Sequence, residues 1–222
     1  MDAVSLPRLL LAFALWCAAS ASGAQAHPHV FIMTETTVVY GNGAFTGVRH
    51  KWTFDEFYTT MAIEGLDKNK DGIYDREELA ELAKVNVEGL KEFGYFTVLS
   101  LAGKELKAGD AKDYWLEHKD GALSLHFTLP FASPVLAEAQ GLTVSVFDPT
   151  YFIAFTFAEK DPVKLSEGAP KECTAKVATA AEKADEKSAL EALQTQIGGY
   201  AAGIAKTIVV ACTKPTKPGS AP

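Results

Sequence analysis

Cysteine is scarce in this chain: three residues in 222, at positions 17, 173 and 212. No histidine or second cysteine stands at ligand spacing beside Cys173 or Cys212, which argues against a cysteine-based metal site. Cationic charge is also in short supply. The 21 Lys and Arg face 28 Asp and Glu, for a net charge of −7. Nucleic-acid binding draws on clustered Lys and Arg that displace counterions, so this balance argues against it. There is no glycine-flanked nucleophilic serine, no phosphate loop and no internal repeat. The sequence therefore reads as a non-enzyme. Nor is there an apolar run of the roughly 20 residues needed to cross a bilayer.

The longest apolar run, Leu9 to Trp16, instead fits the short core of a leader. Arg8 precedes it, and Ala24-Gln25-Ala26 supplies a small-x-small cleavage signature. The expectation is a signal peptide over residues 1–26 and a periplasmic mature protein starting His27-Pro28-His29. Removing 26 of 222 residues leaves 196, the size of one ordinary domain. Bulky Trp16 before Cys17 argues against lipidation there. In an oxidising compartment the remaining pair, Cys173 and Cys212, reads as a disulfide.

After the leader the pattern is mostly period two. Val30–Tyr40 and Ala44–Phe54, joined by Gly41-Asn42-Gly43, predict a β-hairpin. Alternation puts His50 on a mostly apolar face with Trp52 and Phe54. Asp55 is a plausible N-cap for a helix to about Gly65, and a second helix is expected near Arg76–Phe93. Further strands are expected at Phe96–Leu101, Tyr114–Glu117, Ala122–Leu129, Leu142–Phe147, Tyr151–Phe157 and Ile208–Ala211. A helix is expected from Ala178 to Gln196, and a disordered tail from Lys214 to Pro222. The fold class is α+β: an antiparallel sheet or sandwich with an EF-hand-like helix-loop-helix inserted at about residues 55–93 and a C-terminal helix. Residues 27–213 form one domain.

Asp67-Lys68-Asn69-Lys70-Asp71-Gly72-Ile73-Tyr74-Asp75-Arg76-Glu77-Glu78 matches the twelve-residue calcium loop of EF-hands. Asp67, Asn69, Asp71, the Ile73 carbonyl, Asp75 and Glu78 fall at the ligand positions, and Gly72 at the sharp turn. Calcium needs many oxygens on a short arc, and alternating acids around a glycine provide them. The competing reading is a solvated Asp/Asn turn without the ion. Tyr74 stands at position 8, where an aliphatic residue packs on a partner loop, and no second loop exists in the sequence. The loop is expected to lock two helices rather than to act as a switch.

The five histidines are His27, His29, His50, His118 and His126. After cleavage, His27 offers an α-amine and an imidazole to one ion. Pro28 lacks the amide proton that a square-planar amine-and-amide site would use. Nitrogen and oxygen donors of this kind suit Ni, Co, Zn or Cu. The expected transition-metal set is His27 and His29, completed by His50, His126 or Asp148. Four of these have a plainer reading: a frayed terminus for His27 and His29, a hydrogen-bonded core residue for His50, a turn start for Asp148. His126 shares a polar face with Ser124 and Thr128, whereas His118 is expected to be simply exposed. The same amine-and-ring arrangement also occurs in copper enzymes that cleave polysaccharides, but those expose a flat aromatic surface that nothing here indicates.

His27-Pro28-His29-Val30-Phe31-Ile32, Trp52-Thr53-Phe54-Asp55-Glu56, the Asp67–Glu78 loop, Tyr95-Phe96-Thr97, His126-Phe127-Thr128-Leu129-Pro130 and Asp148-Pro149-Thr150-Tyr151-Phe152 together resemble one family. It is a bacterial periplasmic family of unknown function, grouped as the periplasmic component of an uncharacterised ABC-type transport system. The resemblance runs from about Ala26 to Cys173. It implies a non-enzymatic periplasmic protein whose partner is an inner-membrane permease of the nickel/cobalt type. The function expected is that of a transition-metal-binding accessory to metal transport with a structural calcium loop. The alternative is a calcium-stabilised interaction module without a transition metal.

Overall fold

A computed structural model describes residues 28–178 and 206–213. The leader with its cleavage site, His27, all but the first residue of the helix expected over Ala178–Gln196, and the tail from Lys214 lie outside the described residues.

The described chain is mostly β-structure with two helices. Strands β1 (Val30–Gly41) and β2 (Ala44–Phe54) form the expected hairpin, turning through Asn42 and Gly43, both at positive φ. Helices α1 (Glu56–Ala62) and α2 (Ala80–Glu92) follow, then a 3-10 turn at Gly94–Phe96. The remaining strands are β3 (Thr97–Leu101), β4 (Lys104–Leu106), β5 (Lys112–Lys119), β6 (Ala122–Leu136), β7 (Leu142–Val146), β8 (Ile153–Phe157), β9 (Val163–Leu165), β10 (Cys173–Val177) and β11 (Lys206–Cys212).

They make two sheets. One has six strands in the order β5-β6-β2-β1-β8, with β9 also on β1; the other runs β10-β11-β7-β3-β4. Two features depart from the expected all-antiparallel arrangement. Both β8 and β9 lie parallel to β1, at Val30–Thr34 and Thr36–Val38 respectively. The chain reaches that edge only after crossing the second sheet, and a connection that long can return a strand in the same direction. β4, β9 and β10 are short and carry weak alternation, which is why the pattern did not announce them.

Side chains from both sheets enter one buried cluster, as a sandwich requires. Ile32, Trp52, Leu125 and Phe127 come from the first sheet; Leu99, Val144, Ile208 and Val210 from the second. Trp52 is fully buried, edge-on to Phe127 at 4.9 Å and to Phe155 at 5.0 Å. Gly47 lets β6 pass close by, since a Cβ there would stand 2.7 Å from the Leu129 carbonyl oxygen. Cys173 and Cys212 face each other across β10 and β11 with their Cα atoms 3.9 Å apart and are joined by the expected disulfide.

The helical insertion is shorter than the spacing suggests. Asp55 does cap α1, its Oδ1 accepting from the Tyr58 amide at 2.8 Å. That helix stops at Ala62, and Gly65 takes φ +75°, so residues 63–66 separate it from the acidic loop. At the other end Asp75 Oδ1 accepts from the Glu77 and Glu78 amides at 2.8 Å each. Residues 76–79 form a turn, and α2 begins at Ala80 rather than Arg76. The helices therefore do not abut the loop as in the EF-hand-like unit expected. Tyr58 ties them instead, donating to Asn86 Oδ1 at 3.0 Å.

Candidate functional site

Asp67–Glu78 is built as an acidic loop that closes on itself. Lys70 and Gly72, at φ +62° and +79°, curl the backbone. Asp67 accepts from the Asp71 and Gly72 amides, Asn69 Oδ1 from the Asp71 amide, and Asp71 Oδ1 from the Ile73 amide. Glu78, only 9% exposed, reaches back across the mouth. Its Oε1 accepts from the Lys68 amide at 2.8 Å and its Oε2 from the Asp75 amide at 3.3 Å. Donor order and backbone curl suit a hard divalent cation. The side chains, however, point at amides. Among the described residues no three His, Cys, Asp or Glu side chains converge closely enough to hold a metal.

The loop is docked on the six-stranded sheet, which the sequence did not reveal. Tyr74, the position that would pack on a second loop, meets His118 edge-on at 4.9 Å. His118 is thus half-buried rather than simply exposed. Arg76 places its guanidinium 4.5 Å from the centre of the Trp115 ring. His126 stacks on that ring at 3.9 Å with only 4° between planes. Trp115 is thus in contact with both the acidic loop and β6. The β5–β6 hairpin takes the place of a partner loop.

The histidines are not gathered. His50 pairs with Phe127 across β2 and β6, while His126 pairs with Lys51, so the two rings point to opposite faces of the sheet. They cannot share an ion. His50 is fully buried and bonded at both nitrogens, to Thr36 Oγ1 at 3.0 Å and Thr97 Oγ1 at 3.3 Å. The Thr97 hydroxyl already donates to the Tyr95 carbonyl at 2.8 Å, so His50 Nε2–H must be the donor to Thr97. His50 Nδ1 then accepts from Thr36. Burial holds its pKa down at about 3, and the ring is a neutral tie between the two sheets. Of its two sequence readings, the core histidine describes this geometry.

His126 is half-buried against Trp115, and desolvation lowers its pKa although Glu117 pulls the other way. The Glu117 carboxylate lies 3.5 Å from Nε2, too long for a good hydrogen bond. Asp148 is 3% exposed and starts a turn. Its Oδ1 accepts from the Thr150 amide and hydroxyl at 2.8 Å each, and its Oδ2 from the Phe152 and Ile153 amides at 3.1 and 2.9 Å. That turn seats the start of the described chain. The His29 amide donates to the Phe152 carbonyl at 2.8 Å, and the two rings lie 4.9 Å apart. His29 is the exposed histidine among those described. Beside it a groove of about 430 Å³ runs between α2 and the turn, lined by Val85, Leu90, Phe93, Phe96 and Phe152.

A two-sheet, disulfide-tied protein with a docked acidic loop is the class these features define. No helix among the described residues is long and apolar enough to cross a membrane. The chain belongs to the family described as Protein of unknown function (DUF1007), which it matches over residues 12–212. It is similar to an "Uncharacterized protein" of Haemophilus influenzae, 28% identical over 145 residues that make up 65% of this chain and 69% of that protein. It is also similar to the "Uncharacterized 15.5 kDa protein in trpE 3'region" of Spirochaeta aurantia, 31% identical over 99 residues, or 45% of this chain and 70% of that one.

Proposed function

We propose that this protein is an exported, non-enzymatic transition-metal-binding accessory of a metal transporter, and that its mature N-terminus carries the ligands. The observation that supports this most is the seating of His29. Its backbone is bonded to a turn fixed by buried Asp148, so the imidazole is presented at the surface from a rigid base. His27, once its α-amine is freed by cleavage, supplies the second and third nitrogens. His50 and His126 have no part in this reading, and Asp148 acts through the turn instead of as a ligand. A site with few protein ligands gives up its ion readily, which suits delivery to a permease better than storage. The Asp67–Glu78 loop takes calcium as a structural ion that draws the acids off their amides and stiffens the path from α1 to α2.

The test is metal content by plasma mass spectrometry, with intact mass, on protein exported and processed by its own host. Stoichiometric Ni, Co, Cu or Zn on a chain starting at His27, lost in His29→Ala, is the expected result. Processed protein that binds none of these ions more tightly than about micromolar would end the proposal. For the loop, a Kd of about 1 mM and 10 mM calcium would add about 1.4 kcal/mol of stability. Glu78→Gln should abolish that gain.

The groove beside His29 favours a second reading, a calcium-stabilised interaction module. Phe93 and Phe152, both more than half exposed, would contact a partner. It predicts that His29→Ala leaves partner binding intact.

A further inference from the structure

The outer face of the six-stranded sheet carries a second feature, independent of the metal reading. Strand register sets Lys164, Thr37, Arg49, Thr128 and Lys112 side by side across β9, β1, β2, β6 and β5. Directly paired residues share a face, so this one rung holds three cations separated by two hydroxyl residues. Arg49, Lys164 and Lys112 are all exposed, and none is within ion-pair distance of a carboxylate among the described residues. The neighbouring rung is different. There Lys51 is neutralised by Glu35 at 2.9 Å.

We infer that Arg49, Lys164 and Thr37 form a binding site for a phosphate-type oxyanion. Strands lie about 4.8 Å apart, so Arg49 and Lys164 flank Thr37 at about 10 Å and their long side chains can converge above its hydroxyl. The guanidinium offers two parallel N–H donors to a tetrahedral oxyanion, the ammonium a point charge, the hydroxyl a third donor. These residues line a concavity of about 780 Å³, with Ser166 on its wall. The lining also holds three carboxylates: Glu35, paired with Lys51, and Asp161 and Glu167, three residues either side of Lys164 along the chain. The ligand is a free phosphate or the phosphate of an anionic lipid headgroup.

The test uses the full mature chain in two arms, after treatment with chelator so that metal sites do not contribute. Inorganic phosphate is titrated by calorimetry, and co-sedimentation is measured with vesicles of phosphatidylglycerol in phosphatidylcholine. Saturable binding in the first arm identifies free phosphate; binding in the vesicle arm alone identifies the headgroup. In whichever arm binds, Arg49→Gln and Lys164→Gln should each weaken it by about tenfold, and raised salt should weaken it further. Lys112→Gln, on the same rung but off the lining of the concavity, should change it less than about threefold. No saturable binding in either arm by about 10 mM phosphate, or equal loss in all three variants, would overturn the assignment. All three positions are on the sheet surface, so circular dichroism should show each variant folded.

Discussion

His50 makes the stability of this protein fall on acidification by an amount that can be isolated. Buried and neutral, it resists protonation down to a pKa of about 3, against an ordinary value of 6.5 in the unfolded chain. Between those values the unfolded state binds the extra proton and the native state does not. Stability therefore rises with pH across that window, and is lost as pH drops from about 6.5 towards 3. Inside the window each pH unit is worth about 1.4 kcal/mol, so acidification from pH 7 to 4.5 costs about 2–3 kcal/mol through this residue alone. Carboxylates titrate over part of the same range and must be subtracted. Urea unfolding followed by tryptophan fluorescence, at half-unit steps from pH 7 to 4.5, should be run on the parent and on His50→Gln. The variant keeps a polar group for Thr36 and Thr97 but cannot titrate. It should start less stable at pH 7, and the two curves should converge on acidification with a slope difference of about 1.4 kcal/mol per unit. Parallel curves would refute the argument, because His50 would then be protonated equally in both states.

Three further outcomes follow from the packing. Opening the disulfide with Cys173→Ser and Cys212→Ser frees a loop closed over a separation of 39 residues; by chain entropy it should cost about 4 kcal/mol, read from denaturant midpoints with and without reductant. Gly47→Ala forces a Cβ towards the Leu129 carbonyl oxygen at 2.7 Å, a backbone contact that cannot swing away; a loss of about 2–3 kcal/mol is expected, and an unchanged thermal midpoint would contradict the close approach. In Asp148→Asn one carboxylate oxygen becomes a donor facing amides or a hydroxyl that themselves donate; it should cost about 2–3 kcal/mol and increase hydrogen exchange at Phe152 and Ile153.

Much of the architecture was legible in local pattern. The first hairpin, the β5–β6 hairpin, the cap at Asp55 and the face shared by His50, Trp52 and Phe54 all rest on neighbours in the chain, where alternation and turn chemistry act directly. Helix ends were less legible. Asp75 serves two amides of the following turn, so α2 starts late, and nothing in the apolar spacing of Leu79, Leu82 and Leu90 reports that choice. The candidate site was legible as residue types but not as an arrangement. His126 read as an available imidazole and His50 as either a ligand or a core residue, yet which face each ring takes depends on β2 pairing with β6, two strands far apart in sequence. Trp115 and Arg76 went unnoticed because neither is a ligand type; the signal lay in the aromatic residue opposite His126 once the β5–β6 register is drawn.

The sequence by itself determined the donor order of the Asp67–Glu78 loop, the pairing of Cys173 with Cys212 and the mostly β character, because each depends on spacing along one chain segment or on an even count. Tertiary structure alone decided the rest. The parallel placement of β8 and β9 on β1, the docking of Tyr74 and Arg76 on the sheet, and the rung that lines up Lys164, Arg49 and Lys112 arise from long-range register. Register is set by how two whole sheets bury their apolar faces against each other, and no single segment carries that information.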